Sequence, residues 1–310
     1  MAKVLVTGAA GFIGSHTVDL LLDCGHEVIG VDNLRTGRLE NLQAALRHAR
    51  FVFRQEDLTA PGVLSELTAG FRPDAIIHLA ALVSVPESIA KPALNRLLNF
   101  DLTRLVCEAA LATGSVRRIV FASSAAVYGA SPHLPLSESA PCEPLSPYGQ
   151  AKLDSEALLL AYARERPQIT VRCQRYFNVY GPRQDSSSSY SGVISLFIDA
   201  IARNHPPTIF GDGEQTRDFI AVHDVARANV LAATAPKIAT GVANICTGDA
   251  VSVNTLFTVL ARLMKCSLQP IYGPARKGDI RHSRGSPTLA ASDLAFRSSH
   301  TLEATFGTMV

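Results

Sequence analysis

Short apolar runs alternate along this chain with longer stretches whose apolar residues recur every three or four positions. Runs of the first kind, at 4–6, 28–31, 51–53, 75–79, 118–122 and 170–173, predict buried β-strands. Stretches of the second kind, at 12–24, 40–47, 61–68, 92–113 and 147–164, predict helices. The helix over 92–113 puts Leu97, Leu98, Leu102, Leu105, Val106 and Ala109 on one broad stripe, and the helix over 147–164 carries Leu153, Ala157, Leu158, Leu160 and Ala161. Either face suits a sheet, a dimer contact, or both. Strand and helix in regular alternation predict βαβ units. The expected fold class is α/β, a Rossmann-like doubly wound parallel sheet.

After Tyr176 the pattern loosens. A serine-rich loop covers 185–191 and a stretch rich in proline and glycine covers 204–213. A strand is predicted over 216–222, a helix over 224–233, another over 254–264, and a loop with several basic residues over 276–284. The expected division is a dinucleotide-binding domain at 1–175 with about 216–247, and a smaller α/β substrate lobe at about 176–215 and 248–310. Such a lobe caps the carboxyl ends of the strands, where open α/β sheets bind ligands.

The first strand runs into Thr7-Gly8-Ala9-Ala10-Gly11-Phe12-Ile13-Gly14, three glycines at a spacing of three between a strand and a helix. Gly8 permits the tight turn, Gly11 lets backbone approach a pyrophosphate, and Gly14 lets helix and strand pack closely. The helix beginning at Phe12 then offers its free N–H groups and positive dipole end. Asp32 closes the next strand, where a carboxylate grips an adenosine ribose. Together these features predict a bound dinucleotide.

Composition narrows the function classes. The chain has 310 residues, 47% hydrophobic and 18% charged, enough for a substantial core. A net charge of +2 gives no reason to expect nucleic acid or an anionic membrane as partner. No apolar run reaches the eighteen or so residues a membrane span needs. The N-terminus enters a strand at once, so no signal peptide is expected, and a cytoplasmic location is. Cys24, Cys107, Cys142, Cys173, Cys246 and Cys266 are scattered and mostly apolar in context, with no zinc spacing. Free thiols and no metal site are expected.

Candidate chemistry gathers at two places. Tyr148 and Lys152 lie four apart at a helix start and share a face. Ser123 and Ser124 follow a buried strand at its carboxyl end. A tyrosine with its ordinary pKa of about 10 is a poor base. A nearby ammonium and an oxidised nicotinamide lower that value, so Tyr148 can act as phenolate base with Ser124 holding the reacting hydroxyl. His78 is expected as a hydrogen-bonded strand-end histidine, and His223-Asp224 as a helix cap.

At these residues the chain resembles the extended short-chain dehydrogenase/reductase family, in its nucleotide-sugar 4-epimerase branch. The glycine turn carries the resemblance together with Val31-Asp32-Asn33, Asp57-Leu58, His78-Leu79-Ala80-Ala81, Ser123 to Gly129, Ser146 to Lys152, Arg175 to Arg183 and Gly211 to Phe219. The resemblance implies NAD as cofactor, with Gly8, Gly11, Phe12, Ile13 and Gly14 at the pyrophosphate. It places Asp32 and Asn33 at the ribose, Asp57 and Leu58 beside the adenine, and Leu79, Ala80, Ala81 and Asn99 along the channel. Ser124, Tyr148 and Lys152 become the catalytic residues. Ser84, Tyr176, Asn178, Arg217, Arg276 and Ser283 become the UDP-sugar contacts, the arginines neutralising the diphosphate. A homodimer is also implied.

The implied reaction is inversion at C4 through a 4-keto sugar. Dehydratases of the same family carry acids just after the strand-end serine or threonine; here that place holds Ala125 and Ala126. Alignment puts Ser283 where glucose-restricted epimerases carry a bulky tyrosine, which implies room for a 2-N-acetyl group and favours UDP-GlcNAc/UDP-GalNAc, with UDP-Glc/UDP-Gal possible. Val83 stands where some relatives have a lysine. The last residues end where relatives continue a helix, and Gly285-Ser286-Pro287 breaks the usual pattern, leaving closure of the small lobe open. Two other readings are a nucleotide-sugar dehydratase or reductase, and a non-catalytic dinucleotide-binding protein. The intact Tyr148 and Lys152 weigh against the latter.

Overall fold

A computed structural model describes residues 1–185, 192–275 and 280–309. The first half alternates as the pattern predicts. Strand β1 (Lys3–Thr7) leads to helix α1 (Phe12–Asp23), β2 (Glu27–Asp32), β3 (Phe51–Gln55), α2 (Val63–Phe71) and β4 (Ala75–His78). Helices α3 (Val85–Ala90), α4 (Pro92–Arg96) and α5 (Leu102–Thr113) follow, then β5 (Arg118–Ser124), α6 (Pro147–Glu165) and β6 (Thr170–Tyr176). The second half is built of smaller pieces. These are β7 (Asn178–Tyr180), α7 (Val193–Ala202), β8 (Thr208–Phe210), β9 (Thr216–Arg217), β10 (Phe219–Ala221) and α8 (Val222–Thr234). After them come β11 (Gly241–Ile245), β12 (Val251–Ser252), α9 (Val253–Leu263), β13 (Ile271–Gly273), β14 (His282–Ser283), α10 (Thr288–Leu294) and α11 (Leu302–Phe306).

The central sheet is Rossmann-like. Its seven strands run in the order β11-β6-β5-β4-β1-β2-β3, every neighbouring pair parallel. The order reverses between β1 and β4, the switch point at which a ligand crevice opens. Alternation along β1 explains how helices cover both faces. Val4 and Val6 join one apolar cluster with Val18 and Leu21 of α1 and Val225 and Ala228 of α8. Leu5 points the other way, into a cluster with Leu64 of α2, Val106 of α5 and Leu159 of α6. Both faces being covered, the strands read as continuous apolar runs.

A third cluster lies apart from the sheet. Phe197 of α7, Ile209 of β8, Phe219 of β10, Leu256 and Leu260 of α9 and Phe306 of α11 pack together there. Three small sheets accompany it, β10-β7, β12-β9-β14 and β13-β8. Phe306 is fully buried against the Tyr180 ring, so α11 is anchored despite the brevity expected of the last residues.

Four expectations change. The helix expected over 40–47 is two 3₁₀ turns, Leu39–Leu42 and Ala45–Arg47. The helix expected over 92–113 contains a π-helical turn, Leu97–Asp101, between α4 and α5. Inside it the buried Asn99 side chain donates to Leu82 O (3.0 Å) and Asn95 Oδ1 (2.7 Å), while its backbone carbonyl accepts from the Thr103 and Ser155 hydroxyls. The strand expected over 216–222 breaks at Asp218. That fully buried carboxylate turns inward and accepts from the Thr247 N–H and hydroxyl and the N–H groups of Gly248 and Gly285. Asp224 does not cap α8, whose N-cap Ala221 has no side-chain bond. It instead accepts from Ser299 N (3.0 Å) and His300 N (3.0 Å), tying the C-terminal segment to α8. The serine-rich loop beyond Asp185 and Arg276 lie outside the described residues.

Candidate active site

The glycine turn is fixed by backbone bonds from Gly8 N and Ala9 N to Val31 O, at 2.8 and 3.2 Å. Gly8 has φ +70°, and a Cβ on it would stand 2.8 Å from Ala80 N. A Cβ on Gly14 would lie 2.0 Å from Gly8 O. Neither position admits another residue without displacing backbone. Gly11 begins α1 in extended conformation with no side-chain cap. The first-turn N–H groups of Phe12 and Ile13 therefore lack a side-chain partner, which fits a pyrophosphate.

Around the turn lies an acidic rim. Asp32 accepts from Ala10 N (3.0 Å) and Leu34 N (2.8 Å). Burial raises its pKa and these backbone bonds oppose the rise. Asp57 binds the Thr59 N–H and hydroxyl and the Asn33 side chain, which hold its carboxyl below the usual range. Leu58 is buried beside it. Across the switch point, Leu79 N and Ala80 N both donate to Thr7 Oγ1 at 3.1 Å, which sets the path of the chain through Ala81. His78 is the satisfied histidine expected. Its Nδ1 lies 2.8 Å from Thr7 Oγ1 and its Nε2 3.3 Å from Thr103 Oγ1. Burial, then the Lys152 charge, pulls its pKa down to about 3, so it is neutral. These donors and this rim fit a dinucleotide with a free 2′-hydroxyl.

Helix α6 meets the end of β5. Ser146 caps α6, accepting from Gly149 N at 3.1 Å, and Pro147 occupies the first turn. Asn95 Nδ2 grips Pro147 O (3.0 Å) and Ser88 Oγ accepts from Tyr148 N (3.3 Å), so α6 starts in one orientation. Burial raises the Tyr148 pKa and the neighbouring Ser124 side chain opposes the rise. The Lys152 ammonium, 3% exposed as a residue, sits 4.8 Å from the Phe121 ring centroid and 5.9 Å from that of Tyr148. Burial lowers its pKa to about 7, with Glu156 acting against the fall. Ala125 and Ala126 put no acid here; Ala126 N donates to Ser124 Oγ at 3.1 Å.

The other predicted residues divide. Asn178 Nδ2 donates to Asp218 O (3.2 Å). Ser283 pairs with Arg217 in parallel register between β14 and β9. Asn178 and Arg217 line a cavity of about 730 Å³ together with Val83, Phe210, Gln215 and Phe219. Ser84 caps α3, accepting from Glu87 N at 3.0 Å. Tyr176 donates its hydroxyl to Asn229 Oδ1 (2.6 Å), so its ring alone is left for a ligand. Sequence reasoning missed Glu156, though it falls four residues after Lys152, where an acid shares the lysine's helix face. It also missed the apolar cavity wall from α7 and β8, which carries no motif of its own.

Among the described residues, no group of three or more His, Cys, Asp or Glu side chains is placed to hold a metal ion. No helix among them is long and apolar enough to cross a membrane.

Comparison with known proteins agrees with this geometry. A model of the NAD dependent epimerase/dehydratase family matches residues 4–246. A UDP-glucose 4-epimerase of Mycolicibacterium smegmatis is 40% identical over 298 residues, covering 95% of this chain and 93% of that protein. The structure of UDP-glucose 4-epimerase from Thermotoga maritima with UDP-glucose superposes with TM-score 0.92 at 37% identity, over 99% of this chain and 96% of the other. A UDP-N-acetylglucosamine 4-epimerase from Methanobrevibacter ruminantium, in complex with UDP-N-acetylmuramic acid, gives TM-score 0.92 at 36% identity over 99% and 98%.

Proposed function

Since the chain belongs to the NAD dependent epimerase/dehydratase family, we propose that it is a UDP-hexose 4-epimerase preferring UDP-GlcNAc/UDP-GalNAc and also accepting UDP-Glc/UDP-Gal. The observation that carries the reaction type is the Tyr148 ring 5.9 Å from the Lys152 ammonium, beside Ser124 at the end of β5, with Ala125 and Ala126 in place of acids. Bound NAD would supply hydride transfer at C4 of the sugar.

The chain's own residues do the rest. Phe12 and Ile13 present N–H groups to the pyrophosphate. Asp32 and Asn33 hold the adenosine ribose, and Asp57 and Leu58 flank the adenine. Leu79, Ala80, Ala81 and Asn99 line the channel towards Tyr148. Ser124 orients the sugar 4-hydroxyl towards Tyr148, whose phenolate accepts its proton; the reverse transfer reprotonates the product. Lys152 lowers the cost of the phenolate by placing a positive charge beside it. Asn178 and Arg217 hold the diphosphate, with Arg276 assigned there by family likeness. The sugar then turns about a fixed anchor, which is positioning catalysis.

Substrate preference rests on Ser283. Its small side chain is in register with Arg217, and family likeness implies room there for a 2-acetamido group. The relatives include both glucose and N-acetylglucosamine types. Incubating purified protein with UDP-GlcNAc and with UDP-Glc, and reading products by NMR, tests both parts. Interconversion of the acetylated pair is expected. Turnover of UDP-Glc alone removes the preference, and a stable 4-keto product replaces epimerase by dehydratase.

A further inference from the structure

Beneath the catalytic pair lies a buried polar network that the proposed reaction does not use. Glu156 is one helical turn beyond Lys152 on α6 and is 2% exposed. Its carboxylate accepts a forked pair from Arg175 of β6, Nε at 2.9 Å and Nη2 at 2.6 Å. It also accepts from the Ser123 hydroxyl at 2.5 Å. Arg175 is 4% exposed, stacks its guanidinium 4.8 Å from the Tyr128 ring centroid, and donates to Glu138 O. Tyr128 in turn donates to Asn244 Oδ1 at 2.6 Å.

A buried ion pair is weak evidence for stability, because desolvating both charges offsets most of their attraction. Its placement is more informative. Glu156 shares the face of α6 that carries Lys152, one turn away, and its negative charge opposes the fall in the Lys152 pKa that burial causes. Among the described residues, no other group around Lys152 gives it a negative charge. His78 of β4 is neutral, Phe121 of β5 contributes a ring face, and Tyr148 is uncharged until it gives up its proton. Burial alone favours neutral lysine. A neutral lysine cannot assist a phenolate. The third bond of Glu156, to Ser123, fixes the strand end that presents Ser124.

We propose that Glu156 is the positioning residue of this site, holding Lys152 in its ammonium form and, through Ser123, setting Ser124 against Tyr148. This rests on the 4-epimerase reading, and two readouts separate the two ideas. The first is the pH profile of kcat for epimerisation, assayed on whichever UDP-hexose the parent protein turns over. Glu156→Gln keeps the size and two acceptor bonds but removes the charge. Its alkaline limb should move down by about one pH unit or more, the low end of what a close opposite charge produces. Glu156→Asp keeps the charge and should leave the limb at the parental position.

The second readout needs no turnover. The ultraviolet phenolate titration of NAD-loaded protein, taken as a difference against Tyr148→Phe, reports Tyr148 alone. Glu156→Gln should raise that transition. An inactive parent with an unchanged dependence of Tyr148 on Glu156 would remove the reaction and keep this proposal. Should the bare Arg175 charge unfold Glu156→Gln, the double variant Glu156→Gln/Arg175→Met removes both charges and should move the limb in the same direction by a smaller amount, since no uncompensated guanidinium then adds to the effect. A uniform loss of rate with the limb in place, or collapse of both variants, assigns Glu156 to architecture and overturns the proposal.

Discussion

The two halves of the site are made in different ways. The proposed cofactor half and the residues proposed for catalysis come from consecutive βαβ units of one parallel sheet. There the critical features are local: a glycine turn, a strand end, the first two turns of one helix. The substrate half is assembled from β7, β9 and β14, strands of two or three residues separated by up to about a hundred positions. Its residues are half-buried, and each short strand is held by a neighbour from elsewhere in the chain, as Ser283 is by Arg217. On the proposed function, the contrast puts the chemistry on the locally encoded part and selectivity on the part whose geometry depends on remote pairing. Substitutions in the first half should therefore change kcat or cofactor content, and those in the second KM or preference.

The sharpest break is Tyr148→Phe. It removes the proton acceptor while keeping the ring, and kcat should fall by about a hundredfold to ten-thousandfold with UDP-sugar affinity unchanged, read by progress curves and calorimetry. Equal loss of affinity would show that the halves are not separable. Next is Gly14→Ala, whose Cβ would press on Gly8 O. Overpacking of this kind costs about 1–3 kcal/mol, and the purified protein should carry less NAD, measured by absorbance after denaturation.

Arg217→Gln should raise KM by about tenfold to a hundredfold, the worth of a charge-assisted bond to phosphate, with kcat nearly parental. Ser283→Tyr should depress turnover of UDP-GlcNAc by about tenfold and spare UDP-Glc, as filling a packed site does. Equal loss on both substrates would count against a steric gate. The smallest effect near neutrality concerns His78. Its folded pKa of about 3 lies below the ordinary 6.5. The unfolded chain thus binds a proton that the folded one refuses between those values. Stability from this residue is full above 6.5 and falls as pH drops towards 3, by up to about 1.36 kcal/mol per pH unit. Melting temperature should decline on acidification from pH 7 to 5, and His78→Asn should flatten that decline.

Legibility in the sequence follows the same divide. Thr7 to Gly14, Asp32, Ser124, Tyr148 and Lys152 were readable because each lies inside, or at the end of, an element with a strong period. The π-helical turn at Asn99 was not, since its cause is a bond to Leu82 O across a loop. The break at Asp218 was hidden for a like reason: its partners Thr247, Gly248 and Gly285 are remote, and a lone acid in an apolar run does not reveal them. Tyr176 read as a ligand contact because its hydroxyl's partner, Asn229, belongs to a helix beyond the strand.

By itself the sequence determined the sheet, the glycine turn and the i,i+4 pair proposed for catalysis. Periodicity, glycine geometry and an i,i+4 spacing act over a few residues and need no partner to be specified. The tertiary structure alone decided which charge faces Lys152, which side chains wall the cavity, and that Ser283 stands beside Arg217. Those outcomes depend on burial and on contacts between distant segments, and both arise only when the chain has closed on itself.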